Sequence, residues 1–557
     1  MDVFPRRDQG RRERAAAARP ARAATRPGCD LPFCGRRTRR LAVSRRRVVV
    51  LVALGAIALT LSYPPFPLPI LSFVAIAPAV LLIRQAFTEA NPRTAFRWGW
   101  WYGLITNAFV LYWMIVALWH FTPFSALGYL ASIAIIGLFT GVMFWFVVRI
   151  RLAAPAVPLW IVFPVGWTAL EWLIGHLGDV RFPWLGLGTS LADAPVLVQW
   201  ADIAGARGVT LWVAWCNVVI VDAATDVRGA WYVVRRLAPV LGTALLALAY
   251  GAWRMKTLPL RDVGVVGMVQ PNEGFKEKFD SAHADSVMST LFALSRGLVA
   301  RSPKPQLLIW PEAAIPGFFL DHPQWDAAIS AFVRENHVPL MTGGLNAEPE
   351  DAGMRSFRIY NAAFYYDSTG NRTPYPIYAK HYLVPVTERV PFVPVRLFRA
   401  IPGLARWSGG FRPGREWVVY DSPIGKFGVV ICYESAFENA TRVYRSHGAE
   451  FFVNMTNDAW FGNTSAPAQH ASHLVLRAIE TRMGVARAAN SGITEFVDPL
   501  GRAYAATQLN VEASVGGVLR TSDVIPLYVR LGDWVGTLVV VLTLGGAGLL
   551  LKRRFRP

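Results

Sequence analysis

The chain's 557 residues exceed one ordinary domain, and a composition that is 53% hydrophobic with only 17% charged residues excludes a wholly soluble protein. Lysine and arginine outnumber aspartate and glutamate by 57 to 37, a formal net charge of +20. That excess gathers at the chain ends and in short loops, so it argues for contact with a membrane surface and against nucleic acid as a partner.

Residues 1–47 contain fifteen arginines among Pro, Ala and Gly with no hydrophobic period, the composition of a disordered cytoplasmic tail near anionic lipid. Cys29 and Cys34 lie in this tail with no histidine or second cysteine pair nearby, and neither a disulfide framework nor a metal or other cofactor is expected. No cleavable signal peptide is read, because the first apolar run starts late and lacks a small-residue cleavage site.

Apolar stretches of spanning length follow at 48–63, 68–83, 98–119, 124–148, 158–175, 207–224 and 237–253, which predicts a seven-span domain over residues 48–254. Pro64, Pro65 and Pro67 predict a tight hairpin between the first two. Arginines follow the second span (Arg84, Arg93, Arg97), the fourth (Arg149, Arg151) and the sixth (Arg228, Arg235, Arg236), whereas the turns at Tyr63–Pro67 and His120–Pro123 have none. The positive-inside rule then puts the N-terminus in the cytoplasm and everything after Trp253 on the outer side. Residues 255–522 change character: short Val/Ile-rich runs separated by helical stretches and turns predict an extracytoplasmic α/β domain. A last span near 534–551, within the segment 523–557, ends on Lys552, Arg553, Arg554 and Arg556, making eight crossings with both termini cytoplasmic.

The apolar runs of the polar domain end in reactive residues, at Trp310-Pro311-Glu312, Tyr378-Ala379-Lys380-His381 and Ile431-Cys432-Tyr433-Glu434. A cysteine thiolate suits acyl transfer because it attacks readily and its thioester passes the acyl group onward. Glu312 is the candidate base for the thiol proton, and Lys380 with the backbone N–H of Tyr433 the candidate stabiliser of the oxyanion.

These segments, with Arg181-Phe182-Pro183-Trp184, Val269-Gln270-Pro271-Asn272, Leu383-Val384-Pro385, Asn457-Asp458-Ala459-Trp460-Phe461-Gly462, Gln469-His470, Arg477-Ala478-Ile479-Glu480 and Asn490-Ser491-Gly492-Ile493-Thr494, resemble the bacterial apolipoprotein N-acyltransferases over about residues 48–551. These are the membrane-integrated branch of the carbon–nitrogen hydrolase (nitrilase) superfamily. The resemblance implies an αββα nitrilase sandwich attached to the multi-pass membrane domain, with Cys432 as nucleophile, Glu312 as base, Lys380 as stabiliser and Glu388 orienting the lysine. Tyr433 and Glu434 then support the site's structure. It implies a ping-pong reaction in an inner membrane: a phospholipid, commonly phosphatidylethanolamine, acylates the cysteine, and the α-amino group of a diacylated apolipoprotein receives the chain in the last step of lipoprotein maturation.

Aromatic residues within 392–407 and at Trp460-Phe461 suit loops that dip toward lipid. His381, His470 and His473 invite a metal reading, but His470 and His473 match a non-metal segment of the family, and no metal site is expected. The chain departs from the family at Val386-Thr387-Glu388-Arg389, where Phe-Gly-Glu-Tyr is commoner, and at Leu191, where Gln is common; the arginine-rich tail has no counterpart. Two other readings remain: a membrane-anchored amidase that discharges the same acyl-enzyme with water, and a non-enzymatic scaffold.

Overall fold

The computed structural model describes residues 44–119, 125–274, 283–350, 357–374, 376–389, 391–392 and 410–554. The tail through residue 43, the turn at His120–Pro123, most of the 392–407 stretch and Arg556 lie outside them.

The apolar segments form α1 (Arg45–Ser62), α2 (Ala77–Thr88), α3 (Pro92–Val110), α4 (Trp113–Trp119), α5 (Ser125–Ala153), α6 (Leu159–Gly175), α7 (Ala201–Ala224) and α8 (Ala230–Thr257). Sequence sets their ends. The Asn91 side chain accepts from the Arg93 and Thr94 amides to cap α3, with Pro92 where no N–H is needed. Glycines set the packing of α3 on α5: a methyl at Gly141 would lie 2.9 Å from the Phe96 carbonyl, and one at Gly137 2.9 Å from the Leu104 amide. Small residues at four-residue spacing let two backbones approach where lipid supplies no hydrophobic drive.

Among the described residues five helices, the last included, are long and apolar enough to cross a membrane, or six if α3 and α4 count together. Eight segments are expected from the sequence and each is helical, but α1 opens on three arginines, α6 has 17 residues, and the segment expected at 98–119 bends by 64° between α3 and α4.

The remaining described chain carries two six-stranded sheets. In the first the order is β12 (Ala513–Thr521), β1 (Arg261–Gln270), β2 (Leu307–Ile309), β3 (Leu340–Pro349), β4 (Phe357–Tyr366), β5 (Tyr378–Ala379). In the second it is β11 (Ala503–Tyr504), β10 (Glu495–Val497), β9 (Gly484–Ala489), β8 (Phe451–Thr456), β7 (Gly425–Ile431), β6 (Tyr420–Ser422). Strands β1, β2 and β3 run parallel, as do β7, β8 and β9. Side chains alternate as a strand requires: Leu307, Ile309, Met341 and Tyr365 join the core between the sheets with Val429, Ile431 and Val453. Leu308, Leu340 and Phe364 face the other way, toward α9 (Ala284–Val299) and α10 (Pro323–Asn336). On the second sheet, α11 (Glu438–Ser446) sits so close that a methyl at Gly428 would overlap the Tyr444 ring. Beside it runs α12 (Ala466–Thr481). The result is an αββα sandwich.

The chain closes with α13 (Trp534–Arg554), which packs against α6. The sandwich meets the membrane helices through α12. Glu480 accepts from the Ala206 amide at 2.6 Å, and Arg482, fully buried, donates to Asp202 at 2.7 Å, to the Gln199 side chain at 2.7 Å and to the Pro499 carbonyl at 2.9 Å.

Candidate active site

Three of the apolar strands hand over to chemistry at their carboxyl ends. After β2, the Trp310 indole donates to Ser295 at 2.8 Å, and Pro311-Glu312-Ala313 turns sharply with Ala313 at φ 44°. This turn crosses β3 at Gly343, where a Cβ would lie 2.6 Å from the Ala313 nitrogen and 2.8 Å from the Glu312 Cα, so only glycine fits. After β5, the Lys380 amide donates to the Asn361 carbonyl at 2.8 Å while the lysine side chain turns inward, 1% exposed. After β7, Cys432 sits at φ 52°, a left-handed conformation that costs a non-glycine residue about 1–3 kcal/mol and marks a sharp elbow.

Glu312, Lys380 and Glu388 converge. Lys380 Nζ donates to Glu388 Oε1 at 2.8 Å and to Glu312 Oε1 at 3.3 Å. Glu312 Oε2 accepts from the Asn457 amide at 2.8 Å, and Glu388 Oε2 from the Val384 amide at 2.8 Å. Burial acts to lower the Lys380 pKa, but Glu388 and Glu312 outweigh it and hold the ammonium well above its ordinary value. The buried Cys432 thiol is pushed up, first by desolvation and then by the Glu312 charge, with Lys380 pulling the other way. Cys432 thus lies within the electrostatic reach of both residues.

Glu434 ties two loops together. Its Oε2 accepts from the Ile431 amide at 2.7 Å and the Tyr378 hydroxyl at 2.6 Å, and its Oε1 from the His381 amide at 2.7 Å and the Tyr382 amide at 3.2 Å. One carboxylate therefore spans the segment before Cys432 and the segment after Lys380. Tyr433 faces the membrane helices: its hydroxyl donates to the Arg181 carbonyl at 2.8 Å, and its ring stacks on Phe182 and Trp184.

Several partners escaped the sequence reading. Asn361 Nδ2 donates to Glu312 at 2.7 Å and to Glu388 at 3.3 Å; its only signal is an amide inside the apolar strand β4. Gln469 Oε1 accepts from two indoles, Trp113 at 3.1 Å and Trp184 at 3.0 Å, fixing the bend after α3 and the Arg181–Trp184 loop at one point. Asp458 accepts from His470 Nδ1 at 2.9 Å and Arg487 at 2.8 Å; burial would raise its pKa, but the Arg487 charge, with the hydrogen bonds from His470 and Thr456, holds it down at about 2. Among the described residues no group of three or more His, Cys, Asp or Glu could hold a metal ion. Beside the Phe182–Gly186 loop lies a small cavity of about 80 Å³, walled by Leu59, Tyr102, Ile136 and Leu170, with Glu171 and Arg207 as its charged lining.

A buried Glu–Lys–Cys constellation at the strand ends of an αββα sandwich defines a carbon–nitrogen hydrolase fold, and the model of that family, "Carbon-nitrogen hydrolase", matches residues 263–518. The "Apolipoprotein N-acyltransferase N-terminal domain" model matches residues 55–219. The apolipoprotein N-acyltransferase of Geobacter metallireducens is 31% identical over 88% of this chain and 92% of its own length. That of Bradyrhizobium diazoefficiens is 31% identical over 91% and 95%, and that of Brucella melitensis 29% over 92% and 97%. The chain belongs to the apolipoprotein N-acyltransferase family, and it is an N-acyltransferase.

Proposed function

We propose that this enzyme moves a fatty acyl chain from a phospholipid, of the phosphatidylethanolamine class, to the α-amino group of the diacylglyceryl-cysteine that begins an apolipoprotein, through a thioester on Cys432. Glu312 takes the thiol proton as Sγ attacks the ester carbonyl. The oxyanion is stabilised by Lys380 and the Tyr433 amide, and the lysophospholipid leaves with the proton. The amine then attacks the thioester, its proton passes to Glu312 and from there to the departing sulfur, and Cys432 leaves as the free thiol with Glu312 again a carboxylate. Glu388 and Asn361 keep Lys380 charged and aimed; Tyr433 and Glu434 hold the elbow.

The observation that carries this reading is the contact of Tyr433 with Arg181 and Trp184, which seats the thiol beside a loop of the membrane helices. A soluble amide would need no such seat, whereas two lipid-anchored substrates do. The cavity beside that loop is lined largely by apolar side chains, a wall compatible with the passage of an acyl chain. We take the tail to be 1–47, the membrane domain 48–254, the catalytic domain 255–522 and the last helix with its basic end 523–557. The enzyme then sits in a bacterial inner membrane with eight crossings, cytoplasmic termini and an outer catalytic domain, a topology that protease cleavage of the catalytic domain from the cytoplasmic side would overturn.

The test is incubation of the purified enzyme with phosphatidylethanolamine and a synthetic diacylated lipopeptide, read by mass spectrometry. The expected result is a lipopeptide heavier by one acyl chain and, without acceptor, a hydroxylamine-labile adduct on Cys432 that Cys432→Ala lacks. Free fatty acid with no acylated peptide would replace this reading by hydrolysis.

A further inference from the structure

The membrane helix α7, which touches the catalytic side, carries a different chemistry at its other end. α7 meets α12 at Ala206 and reaches Asp222 sixteen residues later, about 24 Å along its axis. There a crevice of about 510 Å³ opens between α6, α7 and α8, with Trp160, Trp215, Val219 and Pro239 as walls and Arg235 and Arg236 at its rim. Two aspartates serve the surrounding arginines: Asp222 pairs with Arg84 at 2.6 Å, and Asp226 with Arg228 at 2.6 Å and Arg236 at 2.8 Å. Arg235 is exposed and has no ion pair among the described residues. Counting Arg84, Arg228, Arg235 and Arg236 against Asp222 and Asp226 leaves an excess of two positive charges around an apolar-walled groove.

The helix forming one wall is thinly supported. Only Val240, Ala247 and Gly251 of α8 are buried by protein, while Val234, Leu241, Leu245 and Leu246 are exposed apolar side chains. A basic pocket between spanning helices, opening onto lipid-facing surface, matches a phosphate head group with acyl chains below it.

We propose that this crevice binds a phospholipid of net negative head group, of the phosphatidylglycerol class, from the leaflet remote from the catalytic domain. The phosphate lies against Arg235 and Arg236, and the acyl chains run along Val219, Pro239 and the exposed face of α8. At some 24 Å from the α7–α12 contact the lipid is no acyl donor. It braces α8, which continues into β1 after only three residues, Leu258–Leu260, and so supports the first sheet of the sandwich. The proposal rests on the membrane-embedded reading of the helices and is independent of the reaction assigned to Cys432.

The experiment is native mass spectrometry of the full chain released from a mild detergent after equilibration with equal amounts of phosphatidylglycerol and phosphatidylethanolamine. The wild-type chain retains one phosphatidylglycerol in preference. Arg235→Gln, which breaks no protein contact, lowers that retention about fivefold, and Arg235→Gln with Arg236→Gln lowers it tenfold or more, with acyl transfer at saturating donor unchanged for the single variant. Equal retention of the two lipids, a single variant that holds phosphatidylglycerol like the wild type, or displacement of the lipid by millimolar inorganic phosphate would each overturn the proposal.

Discussion

Replacing Glu434 by glutamine reverses the hydrogen-bonding sense of one atom at the junction of two catalytic loops. The carboxylate accepts from three backbone amides, of Ile431, His381 and Tyr382, and from the Tyr378 hydroxyl. A carboxamide has one acceptor oxygen and one donor NH2. Its cheapest orientation keeps the oxygen on His381 and Tyr382 and turns the NH2 toward Tyr378, whose hydroxyl can rotate to accept. The Ile431 N–H is then left buried with no acceptor, at about 1–3 kcal/mol, and the opposite orientation orphans two amides. At roughly 2–4 °C per kcal/mol for a domain of this size, the melting temperature should fall by about 4–8 °C for 2 kcal/mol. Because Ile431 immediately precedes Cys432, the elbow shifts as well, and a displacement near 1 Å costs about 10²-fold in rate. Scanning fluorimetry in detergent reads the first effect, and the rate of thioester formation by intact-protein mass spectrometry reads the second. A variant that melts and acylates like the wild type would refute the tether.

Burial, against the opposing Ile431 and Tyr378 hydrogen bonds, pushes the Glu434 carboxyl up from 4.5 to about 7, and burial does the same for Glu480 and Glu495. The folded chain therefore holds more protons than the unfolded one across that window. The associated stability is present below the unfolded value and is lost as pH rises through 7, at about 1.4 kcal/mol per pH unit for each group. The melting temperature should fall between pH 5 and 7.5, and less steeply in Glu434→Gln; an unchanged slope in that variant would remove Glu434 from the account. Gly343→Ala places a methyl 2.6 Å from the Ala313 nitrogen, so thioester formation should drop by 10²-fold or more with the sandwich's circular dichroism retained. Gln469→Leu strips the acceptor from two indoles at 3.1 and 3.0 Å; acylation from a bilayer phospholipid should weaken about tenfold or more while a short soluble thioester still acylates Cys432 at near its normal rate. Equal losses with both donors would make Gln469 a general structural residue.

Glu312, Lys380 and Cys432 were legible because each stands just past an apolar run, where a sheet presents its chemistry. Alternating Leu307, Leu308 and Ile309 read as strand for the same local reason. What the sequence hid depends on contacts with no local signature. Gln469 finds Trp113 and Trp184 across 356 and 285 residues, and Asn361 looks like any polar residue in a strand until Glu312 and Glu388 close on it. Hydropathy likewise registers composition over 98–119 but not direction, so the 64° bend that delivers Trp113 to Gln469 is invisible to it.

The Arg482 knot limits how this enzyme can move. A guanidinium with no exposed surface, committed at once to Asp202, Gln199 and Pro499, cannot swing away without stranding a buried charge, a cost of about 3–5 kcal/mol. With Glu480 on the Ala206 amide beside it, the sandwich is riveted to α7 rather than hinged on it. A rocking of the two halves against each other is thereby costly, and the freedom to admit a large molecule is left to individual loops around a stationary thiol.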